Sequence, residues 1–211
     1  MKKIHISIIA LIIISFLIAI SIYNILPEKV ASHWNEKGEV DGYMSRFWGI
    51  FLTPLIMIAC FLLLIFLPKL DPLKRNIKKF EKYYDLTIFI IIAFLLYVHI
   101  LTILANVGVA FNMNYPVILG VAVLFYFLGI ILPKCKRNWF IGIRTPWTLS
   151  SDKVWAKTHR LGGKLFRIFA IILALTLLVP DYSIVILLIT IFIVIIYLVV
   201  YSYLQHKKEK K

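Results

Sequence analysis

Five polar side chains close together in the first quarter of the chain have the chemistry to bind a cation. They are Ser32, His33, Glu36, Glu39 and Asp41. Their spacing matches neither an H-E-x-x-H zinc site nor a calcium-binding loop. We therefore interpret the segment as a folded cap at a membrane interface, with metal binding as the alternative, and we predict no cofactor.

A second polar group consists of His99, Thr102 and Asn106, whose spacing places them on one face of a helix. In an apolar helix such a face marks either contacts between helices or a polar pathway. We favour helix contacts, because the apolar runs of this chain contain no Asp or Glu, which a membrane protease or transporter would usually carry. The chain also lacks a glycine-rich phosphate loop, a serine elbow and a metal-binding pair. We predict neither catalytic residues nor enzyme activity.

Six apolar runs must position these side chains. Hydrophobic residues make up 62% of the chain and charged residues 16%, whereas soluble domains are roughly 45–50% apolar. The only Lys or Arg in the runs is Arg167, which lies one turn beyond Lys164 and can reach the interface. The runs lie at about residues 4–26, 47–67, 86–107, 116–132, 165–179 and 183–204. We predict an all-α polytopic membrane protein with six transmembrane helices; in the alternative interpretation one short run is re-entrant.

Two of these runs have boundaries that need a separate explanation. Lys2 and Lys3 precede an apolar stretch, as in a signal peptide, but the stretch is too long and no A-x-A site follows it. We therefore predict a retained first helix. Pro180-Asp181-Tyr182 form a predicted turn that divides the last two runs.

The distribution of Lys and Arg between the runs predicts the orientation. The N-terminal end, residues 68–85, residues 133–164, the C-terminal tail and Arg167 together hold 21 of these residues, whereas the first connection, residues 27–46, holds 3. Positive residues concentrate in cytoplasmic segments, so both chain ends are predicted to be cytoplasmic. The net charge of +14 is then mainly a topology signal. It predicts contact with membrane lipids and no direct nucleic-acid binding.

Outside the membrane, the first connection (residues 27–46) combines turn and interface signals. Gly38 follows Lys37 and Gly42 follows Asp41, and both pairs are typical of turns. Aromatic residues suit the interfacial belt. The residues singled out here are Pro27, His33, Trp34, Asn35, Gly38, Asp41 and Gly42.

On the cytoplasmic side, the fourth connection (residues 133–164) predicts a short interfacial helix. Ser150 or Ser151 can cap it, and Gly162-Gly163 can end it. Val154, Trp155, Thr158 and Leu161 fall on one face of this helix, and Lys153, Lys157 and Arg160 on the other.

A rigid turn precedes this helix. Arg144 stands between Gly142 and Thr145-Pro146, where its guanidinium could bind a lipid phosphate, a carboxylate at a helix end or a partner protein. A role within the protein or at lipid is favoured over a catalytic one.

The fourth connection resembles the signature of a known family. The matching string contains Asn138, Gly142-Ile143-Arg144-Thr145-Pro146-Trp147-Thr148-Leu149-Ser150, Val154-Trp155, Thr158-His159-Arg160 and Gly162-Gly163. It resembles the SdpI family, bacterial immunity proteins against a secreted killing peptide. The first connection, followed by Pro54, is similar to the uncharacterised domain that usually precedes this signature.

This resemblance implies a location in the bacterial cell membrane and two regions, residues 1–67 and 68–211. It also implies resistance to a secreted toxin peptide and capture of a cytoplasmic autorepressor at the membrane. In that interpretation the first connection and the His99 face meet the toxin. The repressor would meet Arg144, Trp147, Trp155, His159 and Arg160. A small transporter that exports the toxin and an envelope-stress component without a toxin partner are the alternatives.

Overall fold

The structure is a computed structural model that describes residues 2–179 and 182–210. Eight α-helices and one β-hairpin lie in these ranges. They are α1 (Lys3–Ile22), β1 (Lys29–Trp34), β2 (Val40–Ser45), α2 (Arg46–Leu70), α3 (Lys74–Lys79), α4 (Glu81–Asn106), α5 (Asn114–Ile131), α6 (Pro146–Ser150), α7 (Asp152–Leu175) and α8 (Ser183–Glu209).

Six of the helices in the described ranges are long and apolar enough to cross a membrane. With their short 3-10 extensions they cover Lys3–Ile25, Arg46–Leu70, Glu81–Asn106, Asn114–Lys134, Asp152–Leu178 and Ser183–Glu209. The helices that contain the two short apolar runs are 21 and 27 residues long. Both are long enough, since a helix needs about 20 residues to cross the bilayer. The chain is a multi-pass membrane protein, and the predicted all-α fold with six spanning helices is confirmed.

The predicted end of the short interfacial helix at Gly162-Gly163 is wrong. Helix α7 begins at Asp152 and continues through both glycines to Leu175. Neither glycine has the positive φ that a helix C-terminal glycine usually adopts. They serve close packing instead, because a Cβ on Gly163 would lie 2.6 Å from the carbonyl oxygen of Gly129.

The predicted turn between the last two runs falls partly outside the described residues. Pro180 and Asp181 are not described. Before them a 3-10 turn closes at Leu178, and after them α8 begins at Ser183. The two runs are therefore separate helices.

The first connection contains an element that the sequence analysis did not predict. Strands β1 and β2 pair antiparallel, with Lys29 opposite Ser45 and Ala31 opposite Tyr43. The register shifts near His33, which is a β-bulge. The predicted cap is thus a small β-hairpin.

The described residues form two compact units. Unit 1 contains the chain up to Leu64 together with Ile88–Gly120, and unit 2 contains Ile65–Thr87 together with the chain from Val121 onward. In unit 1 a buried cluster joins the hairpin to the helices and consists of Ala19, Leu26, Val30 and Ile50. The division of the chain at residue 67 stays a prediction.

Candidate functional site

The hairpin turn is organised by one side chain, Asn35. Its Oδ1 accepts hydrogen bonds from the backbone N–H groups of Lys37 and Glu39, at 2.9 and 3.0 Å. Gly38 follows with φ +78°, which other residues rarely adopt. Asn35 and Gly38, both singled out in the sequence, therefore determine the conformation of the turn.

Asn106 at the end of α4 fastens strand β1 to the helices. Its Oδ1 accepts from the Ala31 N–H at 2.7 Å, and its Nδ2 donates to the Ala31 carbonyl at 2.9 Å. The Asn106 side-chain amide thus makes the two backbone hydrogen bonds that a neighbouring strand would make to β1. The Asn106 Nδ2 also donates to the Thr102 carbonyl. The predicted polar face of α4 makes a contact between elements at this position.

Two further asparagines hold the hairpin turn, and sequence analysis missed both. Asn112 Nδ2 donates to the Lys37 carbonyl at 2.8 Å, and Asn114 Nδ2 donates to the Glu36 carbonyl at 2.6 Å. We call Asn106, Asn112 and Asn114 the asparagine clamp. Asn112 and Asn114 belong to no sequence motif. Their role is visible only from their hydrogen bonds to backbone groups that are distant in the chain.

The possible metal ligands of the first connection make one pair. His33 Nδ1 lies 2.5 Å from Asp41 Oδ1, and both side chains are exposed. A Cβ on Gly42 would lie 2.9 Å from the His33 Cβ, so this glycine makes room for the pair. Within residues 2–179 and 182–210, no three His, Cys, Asp or Glu side chains are grouped closely enough to hold a metal ion. Pro27 contributes its carbonyl, which accepts from Arg46 Nε at 3.1 Å.

His99 is fully buried in unit 1. Neither ring nitrogen makes a hydrogen bond of ordinary geometry to a described residue, although the backbone of Ser15 is close to the ring. Thr102 satisfies its hydroxyl on its own helix by donating to the Val98 carbonyl. His99, Thr102 and Asn106 therefore do not form one hydrogen-bonded group.

The start of the fourth connection is built around Asn138, which is fully buried. Its Oδ1 accepts from the N–H groups of Phe140 and Ile141, and its Nδ2 donates to the Lys136 and Ile141 carbonyls. All of its hydrogen-bonding capacity is used.

A carboxylate that the sequence analysis missed supports the same turn. Asp71 Oδ2 accepts from the Trp139 N–H at 2.9 Å, and Asp71 Oδ1 accepts from the Leu73 N–H at 2.6 Å. Asp71 is 2% exposed. It stands in a segment whose six basic residues dominate the sequence pattern.

His159 and Trp155 form the buried centre of the fourth connection. The Ile143 N–H donates to His159 Nε2 at 3.0 Å, so Nε2 is unprotonated and Nδ1–H donates to the Trp155 carbonyl at 2.8 Å. The two rings stack at 3.9 Å. A Cβ on Gly142 would lie 2.3 Å from His159 Nε2, and Gly142 also has φ +121°. This histidine is a neutral structural group.

Trp155 also fixes the region around Cys135. Its Nε1 donates to the Cys135 carbonyl at 2.9 Å. Burial raises the pKa of the Cys135 thiol to about 12, so the thiol is protonated at neutral pH. A protonated, buried thiol is a poor nucleophile.

The middle of the fourth connection is held against α8. Thr145 and Thr148 form a capping box at the start of α6, with Pro146 in its first turn. Thr145 Oγ1 lies 3.0 Å from Ser202 Oγ. The rings of Trp147 and Tyr203 are 5.1 Å apart.

The charged residues of the fourth connection divide into two groups. Arg137 is internal to the loop, because its Nε donates to Asp152 and its Nη1 to the Leu149 carbonyl. Arg144 is exposed and donates from Nη1 to the Trp139 carbonyl at 2.6 Å. The predicted basic face of α7 is also exposed and contains Lys153, Lys157 and Arg160. Arg144 and this basic face are therefore exposed cationic groups that a binding partner could contact in this connection.

Most of the fourth connection lies in a segment that matches a known family model. Residues 134–202 match the SdpI/YfhL protein family. Residues 10–58 match a domain of unknown function, DUF1648. Both matches confirm the resemblance seen in the sequence.

The similarity to a curated SdpI relative extends over almost the whole chain. "Immunity protein SdpI" of Bacillus subtilis (strain 168) is 29% identical over 210 residues, which cover 99% of this chain and 98% of the relative. No solved structure matches the chain. The SdpI region contains every site residue predicted in the fourth connection, whereas the asparagine clamp lies outside both family segments.

Proposed function

We propose that this chain is a membrane immunity protein that gives resistance to a secreted killing peptide and acts by binding rather than by catalysis. One observation carries the proposal, which is the near full-length similarity to an immunity protein. The similarity includes both the hairpin and the buried His159–Trp155 centre. Resistance to a peptide that attacks membranes suits a protein that is itself embedded in the membrane.

The proposal includes an orientation. The 21 to 3 distribution of Lys and Arg supports cytoplasmic chain ends and a cytoplasmic fourth connection. The hairpin is then outside the cell, where a secreted peptide arrives. The exposed basic groups of the fourth connection then face the cytoplasm.

A survival assay tests the immunity function. Sensitive cells that express the chain are exposed to membrane-depolarising peptides made by related bacteria, and survival and membrane potential are measured against cells with an empty vector. We expect survival at peptide doses that kill the control cells. Equal killing of both strains would refute immunity toward those peptides.

The cytoplasmic side is proposed to contact a partner protein, for which an autorepressor is the candidate. Arg144 is exposed, whereas Trp155 and His159 are buried. The exposed guanidinium is therefore the better candidate for a contact, and the two buried rings support the loop that presents it.

Two alanine substitutions separate contact from support. We expect Arg144→Ala to weaken recruitment of the partner about 5-fold to 150-fold, with membrane abundance and survival retained. Trp155→Ala removes a buried ring and its hydrogen bond to Cys135, so we expect abundance, survival and recruitment to fall together. A parallel loss of all three in Arg144→Ala would contradict the contact role.

A further inference from the structure

An apolar groove lies beside the hairpin turn in unit 1. It has a volume of about 330 Å³, which is within the range of roughly 300–1,000 Å³ found for ligand sites. It is lined by Leu101, Leu104, Phe111, Asn112, Tyr115 and Pro116. None of these residues belongs to either family segment.

The groove is physically continuous with the hairpin turn. Asn112 lines the groove and also donates to the Lys37 carbonyl of the turn. Asn114, two residues later, donates to the Glu36 carbonyl. The turn and the rim of the groove are thus held in one arrangement by the asparagine clamp.

The turn gives this rim a negative charge. Glu36, Glu39 and Asp41 stand within six residues against the single cation Lys37, and all four side chains are exposed. This is notable in a chain of net charge +14. A ligand that fits both parts has an apolar group for the groove and a cation for the rim. The carboxylates disfavour the phosphate of an anionic lipid at the same place.

We propose that the groove and the acidic turn together bind a cationic amphipathic peptide. One or two of its apolar side chains enter the groove, and a Lys or Arg of the peptide pairs with Glu36 or Glu39. The inference rests on the proposed immunity function for the identity of the peptide as a toxin, and it specifies where on the protein that peptide binds.

Binding is measured with the full chain in phosphatidylcholine nanodiscs. The probe is a dansyl-labelled synthetic peptide of Leu and Lys in amphipathic order, and its counterpart has Glu in place of every Lys. Binding to empty nanodiscs is subtracted. We expect saturable binding of the Leu/Lys peptide and none of the Leu/Glu peptide.

Matched variants locate the site. Leu104→Trp fills the groove and should weaken binding at least about 10-fold, whereas Val109→Trp, an exposed position that does not line the groove, should have no effect. Glu36→Gln should weaken binding about 2-fold to 5-fold, and Glu28→Gln should not. Leu104→Ala serves as a second groove variant if Leu104→Trp does not fold.

The outcomes decide the proposal. Equal peptide binding by the Leu104→Trp and Val109→Trp variants would overturn it, and so would equal binding of the two peptides. A wild-type protein that binds no more peptide than empty nanodiscs would also overturn it. That result is expected if a lipid acyl chain occupies the groove. The immunity function fails separately. If Leu104→Trp loses peptide binding but still protects cells, the groove is not the toxin site and immunity stands. If the wild type binds but never protects, immunity is lost.

Discussion

His99 is a buried polar group whose ring makes no ordinary hydrogen bond to a described residue. Burying an unsatisfied polar group costs about 1–3 kcal/mol. His99→Leu keeps a similar volume without polar atoms, so we expect a higher melting temperature in detergent. Thr102→Val, on the same helix but with a hydroxyl already satisfied, should change the melting temperature little.

A lower melting temperature for His99→Leu would show that the ring has a polar partner, such as a buried water. Survival assays on the same variant separate stability from function. A more stable protein that no longer protects cells would assign His99 to toxin recognition, as the sequence interpretation of this face suggested.

Single residues were predictable where their chemistry is local. Gly38 follows Lys37 in a predicted turn, Gly142 belongs to the predicted rigid turn at Arg144, and both adopt positive φ in the structure. Asp71 and Arg137 were missed, because the backbone groups that they bind, and for Arg137 also the Asp152 carboxylate, are brought close only by folding. A count of charges along the chain cannot distinguish such internal groups from exposed ones.

Helices α5 and α7 approach each other closely at a pair of glycines. A Cβ on Gly163 would lie 2.6 Å from the Gly129 carbonyl oxygen, and a Cβ on Gly129 would lie 2.8 Å from the Gly163 carbonyl oxygen. Each Cβ would meet a backbone carbonyl oxygen of the other helix, so an alanine at either position would require the two helices to move apart. Small residues that allow such an approach are characteristic of membrane helix contacts.

We expect Gly163→Ala to destabilise the protein by about 1–3 kcal/mol, measured as a lower melting temperature and lower membrane abundance. Gly129→Ala should do the same. Lys164→Ala, at the neighbouring exposed position, is the control and should leave both quantities unchanged. Wild-type behaviour of Gly163→Ala would contradict the close contact.

Elements were predictable from apolar length but not from tertiary packing. The six runs correctly predicted the spanning helices, because hydrocarbon imposes both length and composition. The hairpin was missed because its strands lack regular polar and apolar alternation and depend on Asn106 for one edge. Gly162-Gly163 were misinterpreted as a helix end, since a glycine pair signals termination and close packing equally well.

The orientation of the whole molecule is the prediction that the function depends on most. A reporter that is active only in the cytoplasm should be active when fused after Lys79, after Lys136 or at the C-terminal end. The same reporter fused after Gly38 should be silent, because the 21 to 3 charge distribution predicts that the hairpin lies outside the cell. Activity after Gly38 would reverse the orientation and with it the proposed meeting point with a secreted peptide.

Several contacts join the fourth connection to α8, a helix that follows it in the chain. Thr145 meets Ser202, Trp147 meets Tyr203, and Ser151 donates to Glu209. The Thr145 and Ser202 hydroxyls are 57 residues apart in the chain. The loop that contains Arg144 therefore cannot make these contacts during synthesis until α8 has been made. A chain truncated before α8 would keep its preceding apolar helices yet lack these contacts, so we expect the fourth connection of such a chain to be less ordered than in the full chain.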